Sequence, residues 1–328
     1  AGYRKQRESL AHTDQADVYS SGAAVTVPGG HGTEYGFPVP ELKQGDDVAD
    51  FVQARLDEGI DAVIADGTAQ AAWVIDGATS IGRSVLGVES DARWLAQAVD
   101  RHLRLLLEVE PEQSSETLLR RLLNDIQGDF RAQSGRDWHD LEDMPAACLS
   151  LLRIRGGEIE LLNIGDSRIL VEGADGQVRS FGDSALHELD RQSLAHFCRM
   201  REEHPQWDHA ELFKASRPRV RQNRLLMNKP EGYWALDISD RWLGQVQRET
   251  LPLAALRSFV LMTDGFDRLV EPFRRYTDEQ LLRRLEDVGV SAMLDELREI
   301  EQGDDQALAF PRFKIHDDAS ALWGRIAG

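Results

Sequence analysis

The order of strand and helix patterns along this chain restricts its fold more than any single residue does. Two apolar runs within 62–75 are separated by Asp66-Gly67, a dipeptide that favours hairpin turns. Two further runs within 147–164 are separated by Gly156-Gly157. Strands that come in hairpins and helices that come in adjacent pairs predict antiparallel sheet with helices packed outside it. They argue against a doubly wound parallel fold.

Helix patterns occur in two pairs. Apolar residues recur at helical spacing over 94–106 and again over 118–126, where the second helix is expected to stop near Gly128. The second pair begins with a capping box at 277–280 and continues with a helix over 293–300. We therefore expect an α+β fold, with further strands at 168–172, 233–236, 259–263 and 319–323.

The charge balance restricts the partners of the chain. Its 328 residues allow one large domain or two, and 38 basic against 57 acidic side chains give a net charge of −19. Such a surface repels phosphate backbones and anionic lipid, so we expect neither a nucleic-acid nor a membrane partner. An acidic phosphoprotein would also be repelled, unless local positive charge offsets the repulsion. Two cysteines and no signal-peptide pattern favour a cytoplasmic location.

Aspartates stand where buried strands are expected to emerge. One apolar run ends in Asp76-Gly77, another ends in Asp264-Gly265, and Asp317-Asp318 leads into the last predicted strand. Carboxylates held together at the edge of a core repel one another and lose hydration, and a hard cation with oxygen ligands resolves both costs. The pattern therefore predicts a magnesium- or manganese-type site.

Four acidic motifs, in this order, resemble the signature motifs of the metal-dependent protein phosphatases, the protein phosphatase 2C family. They are Asp76-Gly77, Gly165-Asp166-Ser167-Arg168, Thr263-Asp264-Gly265 and Asp317-Asp318-Ala319-Ser320. The resemblance covers about residues 60–325, and three segments look like a bacterial branch: Gly232-Tyr233-Trp234, Asp264-Gly265-Phe266 with Arg268, and Arg312-Phe313-Lys314. It implies a four-layer α-β-β-α sandwich of two antiparallel sheets flanked by helix pairs. The expected layout is one catalytic domain over 21–328 after a flexible tail over 1–20.

The resemblance also implies a site with two Mn²⁺ or Mg²⁺ ions. Asp76 would bridge both metals, Gly77 would offer its backbone carbonyl, and Asp264 and Asp317 would each ligate one metal. Asp76 and Asp264 are the expected catalytic residues. A bridging water that loses a proton readily would attack the phosphorus of a bound phosphoester without a phosphoenzyme.

Other positions match the family less closely. Asp166 matches the position of a third, weaker metal in some bacterial members, or it is a turn residue paired with Arg168. Asp61 is the best match to a further acidic ligand, or it caps the start of a strand. Arg55 is the candidate phosphate-binding residue, although it is offset from the family position, or it lies on a solvated helix face. Ala78 replaces the histidine that protonates the leaving group in animal members.

The polar segment 183–230 resists assignment to helices or strands. It falls where the family inserts a flap beside the active site, and its arginines either contact the substrate phosphate and its flanking chain or form a solvated basic stretch. Its histidines, His187, His204 and His209, are expected on the surface or in loops.

The sequence therefore predicts a phosphoserine and phosphothreonine phosphatase with a phosphoprotein substrate. A catalytically degenerate phosphatase fold that serves as a regulatory or binding module is the alternative. A metal-dependent phosphoesterase for small molecules is a third possibility. The choice of metal, the substrate protein and the oligomeric state are left open by the sequence.

Overall fold

The computed structural model describes residues 16–21, 58–65, 68–78, 84–88, 90–138, 144–182 and 184–326. Within these ranges the strands are β1 Ala16–Ser21, β2 Glu58–Ala65, β3 Thr68–Ala78, β4 Ala146–Arg155, β5 Glu158–Ile164, β6 Arg168–Gly173, β7 Val178–Phe181, β8 Leu236–Asp237, β9 Gln247–Pro252, β10 Leu256–Met262 and β11 Ala319–Arg325. The α-helices are α1 Asp91–Val109, α2 Ser115–Ser134, α3 Ser184–Glu203, α4 His209–Arg224, α5 Asp264–Asp267 and α6 Asp278–Gly303.

The strands form two antiparallel sheets. One has the order β1-β11-β10-β6-β7, and the other has the order β2-β3-β4-β5-β9 with β8 beside β4. Both predicted hairpins are confirmed, because Ala65 pairs with Thr68 and Arg155 pairs with Glu158. The strand predicted over 233–236 is shorter than expected, since only Leu236 and its neighbour enter the sheet.

Three apolar cores separate four layers. Because successive side chains of a strand point to opposite faces, Trp73 and Ile75 pack under α1 and α2 while Val74 packs between the sheets. Val260 and Met262 of β10 likewise pack against α6, and neighbouring β10 residues fill the space between the sheets. The layers are therefore α1/α2, sheet, sheet and α6, and the predicted α-β-β-α sandwich is confirmed.

Helix α2 is longer than its sequence pattern indicates. The prediction of a stop near Gly128 is wrong, because the helix continues to Ser134 and ends at Gly135, which adopts a left-handed φ of 63°. Phe130, beyond the predicted stop, is buried and packs edge-to-face on Trp94, with ring centroids 6.0 Å apart. This packing outweighs the cost of about 1 kcal/mol that an interior glycine imposes on a helix.

The outer layer on the other sheet is one helix with an interruption. Helix α6 begins at the predicted capping box, in which Thr277 and Gln280 bond each other's backbone amides. Gly289 then departs from helical geometry with φ 77° and ψ 168°. The two predicted helices are the stretches on either side of this residue.

The polar segment that sequence patterns left unassigned contains two helices, α3 and α4. Between them Phe197 and Leu212 are buried, and Asn223 donates a 2.8 Å hydrogen bond to Ser193 Oγ. Because few apolar side chains form the contact between these two helices, the sequence shows little helical periodicity in this segment. The prediction that His209 lies at the surface is wrong, because it is buried, with Nε2 2.8 Å from the carbonyl of Phe313.

The end of the predicted N-terminal tail is a strand. Residues 16–20 were expected in the tail, but β1 pairs along its length with β11, from Ala16 opposite Gly324 to Ser21 opposite Ala319. This pairing satisfies backbone groups that an edge strand would leave open. The rest of the predicted tail, 1–15, lies outside the described residues, and the domain boundaries stay a prediction. Within the described ranges, none of the helices has the length and apolar character needed to span a bilayer.

Candidate active site

Two of the predicted acidic motifs meet where β10 ends and β11 begins. Thr263 follows β10, and its backbone amide donates a 3.0 Å hydrogen bond to the carbonyl of Ser320. The Ser320 amide returns a 3.0 Å bond to Thr263 Oγ1. Asp264 and Asp317 flank this junction, so the two motifs meet although 52 residues separate them in sequence.

Gly265 allows the two motifs to approach this closely. A Cβ atom at this position would collide with the backbone carbonyl oxygen of Asp318. Because the obstacle is backbone rather than a flexible side chain, it cannot move aside cheaply. The Asp-Gly dipeptide is therefore required here by close packing and not by the conformation of a turn.

Asp317 is held by three positively charged side chains. Lys314 Nζ lies 2.6 Å from Oδ1, and Arg268 Nη2 lies 2.8 Å from Oδ2. Arg298 Nη2 donates a 2.8 Å bond to the Asp317 backbone carbonyl. Burial acts to raise the pKa of Asp317, but the charges of Lys314 and Arg268 outweigh it and the net shift is downward.

Behind Asp317 lies Glu301, a carboxylate that sequence reasoning did not identify. It is fully buried, and Oε1 accepts a 2.8 Å bond from Arg268 Nη1. Arg298 and His316 contact its second oxygen. Although burial acts to raise the Glu301 pKa, these partners lower it. Glu301 therefore fixes the two arginines that hold Asp317. In the sequence it is marked only by its position, as a polar residue at the end of an apolar helix face.

Lys314 is the cation nearest the predicted metal ligands. Its side chain is 48% exposed, so the ammonium stands at the open side of the cluster. Although much of the side chain is exposed, desolvation of the ammonium by its neighbours acts to lower the Lys314 pKa, and the charges of Asp317, Asp264 and Asp76 outweigh this effect and raise it. Lys314 therefore contacts one of the three carboxylates predicted to bind metal, Asp317, and the charges of the other two act on it. In the sequence, Lys314 stands out only as part of the family-like segment Arg312-Phe313-Lys314.

Asp76 and Asp166 meet around Cys148. Asp76 stands opposite Cys148 in the β3–β4 ladder, and the Asp166 carboxylate and the Cys148 thiol affect each other's pKa. Gly165 has φ +92°, and a Cβ there would collide with the same sulfur, so only glycine lets the chain turn into Asp166. Burial, followed by the charges of Asp166 and Asp76, raises the pKa of this thiol well above its usual range.

Asp166 faces other carboxylates rather than an arginine. Burial and the charge of Asp264 raise its pKa to about 6. The alternative pairing with Arg168 is not formed, because Arg168 bonds Asp267 at 2.6 Å and Asp278 at 2.7 Å. Asp166 therefore belongs to the acidic cluster.

Asp190 of α3 extends the acidic cluster from the previously unassigned segment. Desolvation within the cleft, followed by the charges of Asp166 and Asp264, raises the pKa of Asp190 to about 7, although part of its side chain meets solvent. No sequence motif marks this residue. Only the packing of α3 beside the sandwich brings it to the cluster.

Two predicted site residues fall at the border of the described chain or outside it. Arg55 lies outside the described residues, and so does the side chain of Asp61. The backbone of Asp61 pairs with Trp73 in the β2–β3 ladder, whereas the residue opposite Asp76 is Glu58. Three strand residues span about 10 Å, so the register favours Glu58 over Asp61 as the neighbour of Asp76.

The donor groups fit a hard cation in kind. Carboxylate oxygens are the ligands that Mg²⁺ and Mn²⁺ prefer, and Asp76, Asp264 and Asp317 already converge on a positive charge. Within the described residues, no three acidic, histidine or cysteine side chains are arranged to hold a metal as they stand. Lys314 and Arg268 occupy the oxygens of Asp317 instead, so metal binding requires at least Lys314 to move.

Comparisons with known proteins agree with this architecture. A family model described as protein phosphatase 2C matches residues 53–299. The serine/threonine phosphatase Stp1 from Staphylococcus aureus aligns with a TM-score of 0.50 and 12% identity, covering 95% of each chain. No curated protein sequence gives a significant match.

Two further solved structures align with TM-scores below 0.5. The Mycobacterium tuberculosis phosphatase PstP/Ppp gives 0.49 at 16% identity, covering 96% of this chain and 100% of that chain. The catalytic domain of PstP in complex with two manganese ions gives 0.47 at 15% identity, covering 96% and 99%. The family-model match covers well over half of the 328 residues and includes Asp76, Asp166 and Asp264, although it ends before Asp317. The chain therefore belongs to the protein phosphatase 2C family.

Proposed function

We propose that this protein hydrolyses phosphoserine and phosphothreonine esters with the help of two divalent metal ions, Mn²⁺ or Mg²⁺. The observation that carries the proposal is the convergence of Asp76, Asp264 and Asp317 on one cation, Lys314. Membership of the protein phosphatase 2C family supports the same reaction. A phosphoprotein is the proposed substrate.

The residues of the chain have different roles in the proposed reaction. Asp76, Asp264 and Asp317 would hold the metals, with the Gly77 carbonyl as a further ligand and Asp166 at a third site. Bound divalent metal supplies an acidified water and positive charge for the phosphoryl oxygens. Arg268 and Arg298 fix Asp317 from behind, through Glu301, so that its carboxylate keeps one orientation.

Two side chains shape the reaction on the substrate side. Lys314, partly exposed beside the carboxylates, can turn toward the phosphoryl group when it leaves Asp317. Ala78 offers no imidazole, so we expect the leaving oxygen to take its proton from water. We leave the phosphate-binding role of Arg55 and the ligand role of Asp61 as proposals, with Glu58 as an added candidate on the register.

The test is hydrolysis of para-nitrophenyl phosphate with Mn²⁺ by wild type and Asp264→Asn side by side. We expect metal-dependent turnover that falls at least about 100-fold in the variant, since a metal ligand is lost. Asp295→Asn, an exposed position on α6, is the matched control and should keep full activity. A folded wild type that is equally active after chelation, or inactive with metal, would refute the proposal.

A second candidate function is that of a binding module with a phosphatase fold. The observation that favours it is the full occupation of both Asp317 oxygens by Lys314 and Arg268. Calorimetric titration with Mn²⁺ separates the two, because a module that has lost its metal site shows no saturable binding. An enzyme for small phosphoesters would bind metal but would not prefer phosphopeptides over aryl phosphate.

We also propose a reducing, cytoplasmic location. Cys148 is buried and Cys198 is half-buried, and neither forms a disulfide. Detection of the protein in the soluble cytosolic fraction of its cell would support this location, and its recovery from an exported fraction would contradict it.

A further inference from the structure

Helices α3 and α4 enclose a cavity of about 550 Å³. Its lining includes four basic side chains, Arg191, His196 and Arg199 from α3 and Arg219 from α4. Small residues, Ala195 and Ala215, leave room between the helices. The volume lies within the usual range of ligand pockets, about 300–1,000 Å³.

Two of these arginines lack the partners that arginines have elsewhere in the molecule. Arg153, Arg268 and Arg312, for example, each bond a carboxylate. In the part of the chain that the structure describes, neither Arg199 nor Arg219 forms an ion pair. This is unexpected in a chain with 57 acidic residues, where most positions offer a nearby carboxylate.

Arg219 has an unsatisfied donor. Its Nε is buried without a hydrogen-bond partner, and its Nη2 makes only a long 3.4 Å contact with Gln192 Oε1. A buried donor without an acceptor is destabilising, and this cost is recovered when an acceptor binds. Guanidinium groups bind carboxylates and phosphates through two parallel hydrogen bonds. An anionic group therefore fits this donor.

The cavity lies next to the acidic cluster along the same helix. Asp190, whose pKa responds to Asp166 and Asp264, immediately precedes Arg191 of the cavity. At a rise of 1.5 Å per residue, Arg199 lies about 14 Å further along α3. An extended peptide covers about 3.3 Å per residue, so this distance corresponds to about four residues.

We propose that this cavity binds glutamate or aspartate side chains of the substrate, within about four residues of the phosphorylated position. The inference rests on the proposed phosphatase function and names its substrate class, acidic phosphopeptides. With a net charge of −19, the protein repels such peptides at long range. Arg199 and Arg219 supply the local positive charge that offsets this repulsion at the site of binding, whereas Arg191 is already paired with Glu188.

The first test compares two phosphoserine peptides that differ only in their flanks, one with glutamates and one with glutamines. We expect the acidic peptide to have a KM at least about tenfold lower, and the difference to vanish in Arg199→Gln/Arg219→Gln. Turnover of para-nitrophenyl phosphate should not change in this variant, because neither arginine belongs to the acidic cluster. Arg274→Gln, with a side chain 81% exposed on another face, is the matched control.

A charge-reversal variant distinguishes a loss of peptide binding from a loss of the folded structure. Arg199→Glu/Arg219→Glu should prefer a lysine-flanked phosphopeptide, a gain that loss of structure cannot produce. Equal KM values for acidic and neutral peptides in the wild type would overturn the proposal. So would an acidic preference that survives removal of both arginines.

Binding without chemistry separates this proposal from the proposed reaction. A fluorescein-labelled, unphosphorylated glutamate-rich peptide should bind the wild type in anisotropy titrations, and Arg199→Gln/Arg219→Gln should bind it at least about tenfold more weakly. This result supports the cavity assignment even if aryl phosphate turnover is absent. Equal binding of the glutamate and glutamine peptides refutes it even if the enzyme is active.

Discussion

Lys314 Nζ contacts Asp317 Oδ1 at 2.6 Å, so a lysine of the chain occupies an oxygen that family resemblance assigns to a metal ion. The negative charges of Asp264 and Asp76, the other two predicted ligands, also raise the pKa of this ammonium group. A lysine in this position competes with a divalent cation for the same carboxylates. It also keeps the cluster neutralised when metal is absent.

Replacing this lysine should strengthen metal binding. In Lys314→Met we expect the dissociation constant for Mn²⁺ to fall about fivefold to tenfold, which corresponds to about 1 kcal/mol for a partly exposed charge. Isothermal titration calorimetry on metal-free protein measures the change. Lys229→Met, an exposed lysine away from the cluster, should leave the affinity unchanged. Weaker binding in Lys314→Met would show that the lysine supports the metal site instead of competing for it.

Gly265→Ala should disrupt both the fold and the site. Because the added Cβ meets the Asp318 carbonyl, we expect a loss of about 2–3 kcal/mol in unfolding free energy, the size of an overpacking defect. Thermal unfolding measures this loss. Gly128→Ala is the matched control, since a Cβ there meets open space inside α2 and should stabilise the protein slightly. Equal melting temperatures for the two variants would contradict the predicted collision.

Glu301→Gln should destabilise the protein, because the residue is buried away from solvent. The substitution leaves Arg268 and Arg298 without their buried countercharge, and we expect a cost of about 3 kcal/mol. Chemical denaturation measures it. Glu299→Gln, exposed on the same helix, should cost less than about 0.5 kcal/mol. A neutral effect at Glu301 would mean that the arginines find other acceptors.

Asp304 should contribute stability that depends on pH. Its carboxylate accepts hydrogen bonds from the amides of Leu308, Ala309 and Phe310 and from Arg312. Burial acts to raise its pKa, but these bonds lower it. A carboxyl group with a depressed folded pKa stabilises the fold above its unfolded pKa of about 3.9, and this contribution is lost as pH falls through the folded pKa.

The corresponding experiment compares Asp304→Asn with wild type across pH. At pH 7 we expect the variant to be about 2 kcal/mol less stable, and we expect the difference to shrink below about pH 4. Urea denaturation at several pH values measures both. Asp305→Asn, at the exposed neighbouring position, should follow the wild-type curve. A difference that stays constant down to pH 2 would exclude the ionised carboxylate as its source.

The register of β2 against β3 leads to a ranking of two candidate ligands. Glu58 stands opposite Asp76, whereas Asp61 stands opposite Trp73. We expect Glu58→Gln to weaken Mn²⁺ binding more than Asp61→Asn does, by at least about tenfold, because a ligand must lie near Asp76. Calorimetric titration of both variants decides the order. The reverse order would support the motif match over the register.

Sequence reasoning succeeded where local patterns are strong. Apolar runs separated by turn dipeptides identified the hairpin strands, and the capping box located the start of α6 at Thr277. The predicted end of helix α2 came too early because glycine by itself disfavours a helix. In the folded protein, the burial of Phe130 overrides that preference.

The remaining features depend on contacts between distant segments. Asp190 reaches the acidic cluster only because α3 packs beside the sandwich, and Glu301 is important only because Arg268 and Arg298 meet there. Strand β1 pairs with β11 across more than 290 residues of sequence, a separation that no local pattern records. Motifs therefore indicated the carboxylates, while their positively charged partners emerged from tertiary packing.

The interruption at Gly289 divides the outer helical layer into two hydrogen-bonding units, 278–288 and 290–303. Amides that follow the break lack the partner four residues earlier that a continuous helix would provide. Both units pack on the sheet, and the second also carries Arg298 and Glu301 to Asp317. Local opening of the second unit, visible as faster amide hydrogen exchange, can therefore loosen the support of Asp317 while the first unit stays protected. The second unit therefore links the order of the acidic site to the packing of one half of this helix on the sheet.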